Sequence, residues 1–377
     1  MQHMRPPRVP ASEGSVRPIR AMVVDDSSII RNLVTRWLNE APGIIVVSSQ
    51  RNGAGALRDL EASRPDVVVL DVEMPEMDGI TALPKLLEMR PDLAVIMASG
   101  LTKRNADISL RSLELGARDY VPKPEGTGDD GGVAEFQREL IEKIRLYAPE
   151  QQANPVHPAP PVPAIALKTP GSATYQLRPF NKVRPRVLAI GSSTGGPQAL
   201  YRLLESVKDE IREVPVLVTQ HMPPNFTVIL ANHLGKVTGC PALEGTHGEV
   251  LKAGTIYVAP GGKHMLVETK GGQPAIAISD APPVNFCKPA VDPMFESVTG
   301  VYGGSVLGVV LTGMGRDGAD GALAIANAGG NVLAQDEASS VVWGMPGATA
   351  RAGACAGVLA LEEMGATIAR ILRGQMR

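Results

Sequence analysis

Cysteine, net charge and long apolar runs are all scarce in this 377-residue chain, and each scarcity removes a class of function. Its three cysteines, Cys240, Cys287 and Cys355, lie far apart without metal-ligand spacing. An odd, sparse set points to reduced thiols and a cytoplasmic protein. The formal charge of −2 argues against a nucleic-acid binder that works by broad electrostatic attraction. No apolar run approaches the roughly 18–20 residues that cross a bilayer, so membrane insertion is not expected. The opening "MQHMRPPRVPASEGSVRP" carries basic residues without an apolar stretch, and residues 1–17 are expected to be a disordered leader rather than a secretion signal. The strand-to-helix turn "GSSTGG" forms neither Gly-x-Gly-x-x-Gly nor the lysine-bearing phosphate loop.

What is present is enough apolar material, 44% of residues, for two cores. Residues 151–177, "QQANPVHPAPPVPAIALKTPGSATYQL", hold six prolines and one charge, Lys168. Proline at that density gives an extended, semi-rigid spacer. A linker is therefore set at 141–184, between domains at 18–140 and 185–377. On the N-terminal side "IRAMVVDD", "IIVVSS", "VVVLD", "LAVIMAS" and "RDYVPKP" read as strands. Between the first two, Ile29, Ile30, Leu33, Val34, Trp37 and Leu38 recur at helical spacing. After the linker "VLAIG", "VPVLVTQ", "TIYVAP", "SVLGVVLTG" and "NVLAQ" repeat the pattern. Apolar strands alternating with helices predict two α/β domains, each a doubly wound parallel sheet covered on both faces.

Ligands of such sheets gather beyond the carboxyl ends of the strands. In the first domain that edge receives Asp25 and Asp26 after strand one, Asp71 ending strand three, and Lys123 followed by Pro124 after strand five. Crowded carboxylates repel, and a divalent cation with oxygen ligands, Mg²⁺, is the natural way to hold them. One carboxylate can then attack phosphorus and carry an acyl phosphate, with Lys123 pairing its oxygens. Taken singly, each residue could be a helix cap or part of a structural acidic cluster.

In the second domain "GSSTG", Gly191–Gly195, sits between a strand and a helix. Glycines around a serine permit a tight turn that exposes the hydroxyl. Alone the motif is weak, since Ser192, Ser193 or Thr194 could simply cap the helix "GGPQALYRLLESV". A serine nucleophile needs a base. "VPVLVTQ" delivers His221 to the same edge, whereas His3 and His157 fall in leader and linker, and His233, His247 and His264 have no such position. The orienting acid comes after "SVLGVVLTG" as Asp317, with Asp320 as a more distant rival. The chain order Ser, His, acid disfavours an α/β-hydrolase, which runs Ser, acid, His.

"VVDDS", "VVVLDVEMPEMDG", "VIMAS" and "YVPKP" resemble a bacterial response-regulator receiver domain over residues 18–125. The resemblance implies a flavodoxin-like fold and phosphorylation of Asp71. It also implies Mg²⁺ held by Asp26, Asp71 and the Glu73 carbonyl with Asp25 nearby, and switch residues Ser99 and Lys123. Pro84 is awkward inside the helix after Asp78-Gly79, where a kink or a short helix is expected. "IGSSTGGP", "TQHMPPNFT", "YVAPGGKHM", "DAPPVNFCKPAVD", "LTGMGRDGADG" and "GMPGATA" are similar, in order, to the chemotaxis-type protein-glutamate methylesterase over residues 185–375. That similarity implies a Rossmann-like catalytic domain, the triad Ser193, His221 and Asp317, and the backbone N–H of Met314 as oxyanion donor. It also implies hydrolysis of glutamyl methyl esters and deamidation of glutamines on chemoreceptors, with a histidine kinase as phosphodonor and no cofactor for the ester step. Ser192 stands where that family often has alanine, and "FCKPA" varies a loop expected near the substrate. Receiver, linker and esterase in this order imply that an unphosphorylated receiver blocks a macromolecular substrate. A DNA-binding output, or a non-catalytic receptor adaptor, would be the alternatives from other classes.

Overall fold

The runs "VVVLD" and "AVIMAS" of the N-terminal half are buried from end to end because they lie inside a parallel sheet. The computed structural model describes residues 17–124, 130–148 and 175–375. Nearly all of the expected leader and of the proline-rich segment falls outside the described residues. The chain divides into two compact units.

In the first half, β1 (Ile19–Val24), α1 (Ser28–Glu40), β2 (Ile44–Gln50), α2 (Gly53–Ser63), β3 (Val67–Asp71) and α3 (Gly79–Met89) lead into β4 (Ala94–Ser99), α4 (Lys103–Glu114), β5 (Asp119–Pro122) and α5 (Asp130–Tyr147). The sheet order is β2-β1-β3-β4-β5, and β1–β2, β1–β3 and β3–β4 pair in parallel. Every residue of β3 is buried, as expected of a strand covered on both faces. Helix α1 starts where the Ser27 hydroxyl accepts from the Ile30 N–H, and it buries Val34, Trp37 and Leu38. Ile29, on the opposite face, is exposed. Pro84 sits inside α3, which nevertheless runs for 11 residues. Helix α5 continues to Tyr147, across residue 140, where the sequence places the end of the domain.

The second half forms β6 (Val187–Ser192), α6 (Gly196–Ser206), β7 (Val216–Gln220), α7 (Phe226–Thr238), β8 (Ala242–Glu244), β9 (Ile256–Val258), β10 (His264–Lys270) and β11 (Gln273–Ser279). It then continues with α8 (Val291–Tyr302), β12 (Val306–Val310), α9 (Ala319–Asn327), β13 (Asn331–Gln335), α10 (Met345–Arg351), β14 (Gly357–Leu359) and α11 (Leu361–Leu372). Seven strands form one sheet in the order β14-β13-β12-β6-β7-β9-β8, with parallel pairings throughout. The chain starts at the centre on β6, builds outward through β7, and returns to the other side of β6 as β12. This is the reversal point at which doubly wound sheets open a crevice. One feature departs from the all-parallel expectation: β10 and β11 form a separate antiparallel hairpin. Phe295, Met294 and Val298 of α8 join Tyr257, Met265 and Ile276 in the buried core. Among the described residues, no helix is long and apolar enough to cross a membrane.

Candidate active site and phosphorylation site

The three hydroxyls of "GSSTG" meet different fates. Ser192 is fully buried, and its Oγ donates to Gln220 Oε1 at 2.7 Å. Thr194 is buried as well. Ser193 is half-buried, and its Oγ has no hydrogen-bond partner among the described residues. None of the three caps α6, whose N-cap is Gly195 at φ 74° with no side-chain hydrogen bond. A left-handed residue there favours glycine. Helix capping therefore does not explain these hydroxyls, and Ser193 alone presents one.

Residues paired across β6 and β7 place His221 beside this serine. Ser192 lies opposite Gln220, and the His221 N–H donates to the Ser192 carbonyl at 3.1 Å. The Gln220 side-chain amide donates to the carbonyls of both Ser193 and His221, at 2.9 and 3.2 Å. It thereby ties the two strand ends together. From the other flank, the Ser193 N–H donates to Thr312 O, just after β12. Gly313 follows so closely that a Cβ there would lie 2.8 Å from Ser193 Cβ. The Met314 N–H, next in the chain, has no acceptor among the described residues.

The imidazole is held by Asp317, whose Oδ2 lies 2.8 Å from His221 Nε2. Asp317 is 1% exposed, and three further donors satisfy it: the N–H groups of Val291 and Asp292 and the Asn285 side-chain amide. Ala290, the N-cap of α8, offers that helix no side-chain acceptor. Asp317 supplies the acceptor instead, at the positive end of the helix dipole. Burial disfavours its charge, yet the hydrogen bond and charge of His221 and the two backbone donors prevail and lower its pKa to about 2. For His221, burial opposes protonation, but hydrogen bonds to Asp317 and Cys287 outweigh it and raise the ring to about 9. Asp320, the rival acid, is exposed and pairs with Arg316 at 2.8 Å. His264 and His247 serve structure, accepting from the Ala290 and Ile278 N–H groups respectively.

The other ring nitrogen differs from expectation. His221 Nδ1 faces Cys287 Sγ at 3.4 Å, and no hydrogen bond joins it to the Ser193 hydroxyl. The structure thus closes the His–Asp link and sets the serine on the neighbouring strand end, with the hydroxyl–imidazole step unformed.

At the carboxyl edge of the first sheet, one carboxylate oxygen from each of Asp25, Asp26 and Asp71 lies within 4.8 Å of the others. Asp25 and Asp71 are buried. Asp71 Oδ1 accepts from the Val72 N–H and Asp25 Oδ1 from the Ser27 N–H. A Cβ on Gly79 would come within 2.0 Å of the Asp71 carbonyl, so only glycine lets α3 start this close. Glu73 is exposed in the loop after β3. Ser99 is fully buried and its Oγ bonds Ser109 Oγ at 2.6 Å. Lys123 follows β5, and its N–H donates to Ser99 O.

Known proteins match both halves of the chain. The family model for CheB methylesterase matches residues 188–368, and that for the response regulator receiver domain matches residues 21–129. A protein-glutamate methylesterase/protein-glutamine glutaminase of Rhodopseudomonas palustris is 53% identical, over 95% of each chain. The enzyme of the same description from Nitrobacter hamburgensis is 52% identical, over 96% of each. The chain belongs to the CheB methylesterase family. It carries that family's catalytic domain together with a response-regulator receiver, and it is an enzyme of the hydrolase class.

Several residues of this candidate site escaped sequence reasoning. Gln220 hides in a strand, and Asn285 and Asp292 lie in "PVNFCKPAVD", whose density of polar side chains before a helix was the available signal. Asp292 Oδ2 shares the Asn285 amide with Asp317. Burial foremost, aided by the Asp317 charge, raises the Asp292 pKa to about 6.

Proposed function

We propose that this chain hydrolyses glutamyl methyl esters on chemoreceptors, and deamidates receptor glutamines, through an acyl-enzyme on Ser193. Its relatives are described as protein-glutamate methylesterases and protein-glutamine glutaminases. The observation that carries the reading is the His221–Asp317 pair beside a half-buried serine, delivered from three neighbouring strand ends. Ser193 Oγ attacks the ester carbonyl while His221 takes its proton at Nδ1. Asp317 keeps the other nitrogen protonated and steadies the cation without taking the proton itself. The Met314 N–H donates to the oxyanion, a kind of contact worth about 3 kcal/mol. His221 returns the proton to the departing methanol, and water then cleaves the acyl-serine by the same route. A glutamine amide passes through the same kind of intermediate and loses ammonia.

Regulation belongs to Asp71, phosphorylated from a histidine kinase. Three clustered carboxylates are a hard-oxygen donor set that suits Mg²⁺, held by Asp26, Asp71 and the Glu73 carbonyl with Asp25 adjacent. When bound, the ion neutralises charge at the phosphoryl group. Lys123 pairs with the phosphoryl oxygens, and the Ser99 hydroxyl responds to them. Phosphorylation shifts the population of states in which a macromolecular substrate reaches Ser193. Free thiols, and the absence of a membrane-crossing helix among the described residues, support a cytoplasmic place of action.

Methanol release from methylated receptor, with and without a small phosphodonor, tests the whole proposal. Release that rises with phosphodonor and disappears in Ser193→Ala supports it. Undiminished release from Ser193→Ala rules out the nucleophile, and a rate indifferent to both phosphodonor and deletion of residues 1–150 rules out the regulation.

A further inference from the structure

We propose that Cys287 and His221 form a site for a soft divalent cation, Zn²⁺, and that an ion bound there silences the esterase. Its consequence for turnover rests on the function proposed above, whereas binding itself does not.

The geometry comes first. Cys287 Sγ and His221 Nδ1 are 3.4 Å apart. On a tetrahedral zinc with a thiolate at about 2.3 Å and an imidazole at about 2.0–2.1 Å, the two donor atoms stand about 3.5 Å from each other. One edge of the coordination tetrahedron is therefore already in place. Imidazole nitrogen and thiolate sulfur together select zinc over Mg²⁺ or Ca²⁺, which demand oxygen.

The support around the pair is also that of a metal site. A metal-ligating histidine almost always donates its second N–H to a carboxylate, which sets the tautomer and strengthens the donor. Here Asp317 accepts a hydrogen bond from the Nε2–H at 2.8 Å, so in the neutral ring the Nδ1 lone pair is directed at sulfur. Asp317 already satisfies four donors, so its part is to orient the ring. The thiol is held with comparable firmness. Val284 and Cys287 exchange two backbone hydrogen bonds, at 3.1 and 2.9 Å. The two residues between them, Asn285 and Phe286, adopt left-handed backbone at φ 51° and 65°. Non-glycine residues rarely take that conformation, and two in succession mark a reversal imposed by its surroundings. Cys287 is half-buried, whereas Cys240 and Cys355 are buried.

Coordination replaces the S–H bond with an S–Zn bond and releases the thiol proton to solvent, together with any proton on Nδ1. The ion then occupies the lone pair that must accept the Ser193 proton, so metal binding and base catalysis exclude each other. Water completes the tetrahedron on the substrate side.

The test uses the full chain stripped of metal by a chelator. Zn²⁺ should inhibit methanol release, reversibly on adding chelator, and Mg²⁺ at the same concentration should not. In Cys287→Ser and Cys287→Ala, each compared with its own metal-free rate, the inhibitory midpoint should rise by about tenfold or more. Co²⁺ gives a readout independent of turnover. Its thiolate charge-transfer band should appear in the wild-type chain and in Ser193→Ala, and vanish in Cys287→Ser. Zinc inhibition of equal midpoint with and without the thiol overturns the proposal, as does a missing cobalt band in the wild-type chain. A cobalt band in a chain that never releases methanol sustains the metal site and refutes the esterase instead.

Discussion

Asp317 is at once the acid behind His221 and the cap of helix α8: its Oδ2 accepts from the Val291 N–H at 2.6 Å and meets His221 Nε2 at 2.8 Å. A helix terminus and the His221 ring thus share one carboxylate, and the ring, with the two helix N–H groups, keeps it ionised. Asp317→Asn should lower kcat for methanol release by on the order of 10²–10⁴, because an amide favours the wrong tautomer of the ring. Circular dichroism should show the fold retained. A loss below tenfold would remove Asp317 from the mechanism.

The protonation of His221 sets the pH profile. A base raised to about 9 is largely charged at neutral pH, so kcat/KM should climb from neutrality and level off only above about pH 9. The same shift governs stability. The folded pKa exceeds the ordinary 6.5, so the stabilisation is complete below that value and fades as pH rises through about 9. The melting temperature should fall over that interval, and His221→Gln should flatten the fall.

Ser193→Ala should reduce turnover by on the order of 10³ or more and abolish labelling by a fluorophosphonate, with the melting temperature little changed. Gly313→Ala, which would set a Cβ 2.4 Å from Met345 Sδ and 2.8 Å from Ser193 Cβ, should also lose activity, but with a measurable loss of stability. Equal melting temperatures for the two variants would contradict this packing.

Asp292 carries a linkage of the same sign as His221, at lower pH. Its pKa is raised to about 6 from 3.8, so the folded state binds the extra proton and stability falls as pH rises between those values. Asp292→Asn should weaken that fall in thermal melts. Asn285→Ala, which frees both carboxylates from their shared donor, should cost about tenfold in kcat. A pH-independent melt in the wild-type chain from 4 to 6 would show the carboxyl to be unshifted.

Asp71→Asn should leave the basal esterase rate in place and erase any increase on adding phosphodonor. Stimulation that survives the substitution would move the phosphorylation site elsewhere.

Strand ends were legible because a parallel strand buried on both faces is a short apolar run that stops abruptly at a functional residue. "VVVLD" and "VPVLVTQ" end where β3 and β7 do. The hairpin of β10 and β11 was overlooked although Gly271 and Gly272, at φ 58° and 79°, mark its turn. Strands β8 and β14, three residues each, are too short to show any period. Residue order alone selected Asp317 over Asp320, and burial agrees.

From residue types and spacing alone came the two sheets, the edge at which each candidate site lies, and the candidate serine, histidine and acid. Those follow from local physics: apolar periodicity, tight glycine turns, and the need of a hydroxyl for a base. Tertiary structure alone decided which atoms meet. Which ring nitrogen faces Asp317, why Cys287 holds the other, how Gln220 ties two strand ends and how Asn285 joins Asp292 to Asp317 all depend on segments apart in the chain. No local pattern encodes such contacts, because packing of the completed sheet and of α8 sets the distances between them.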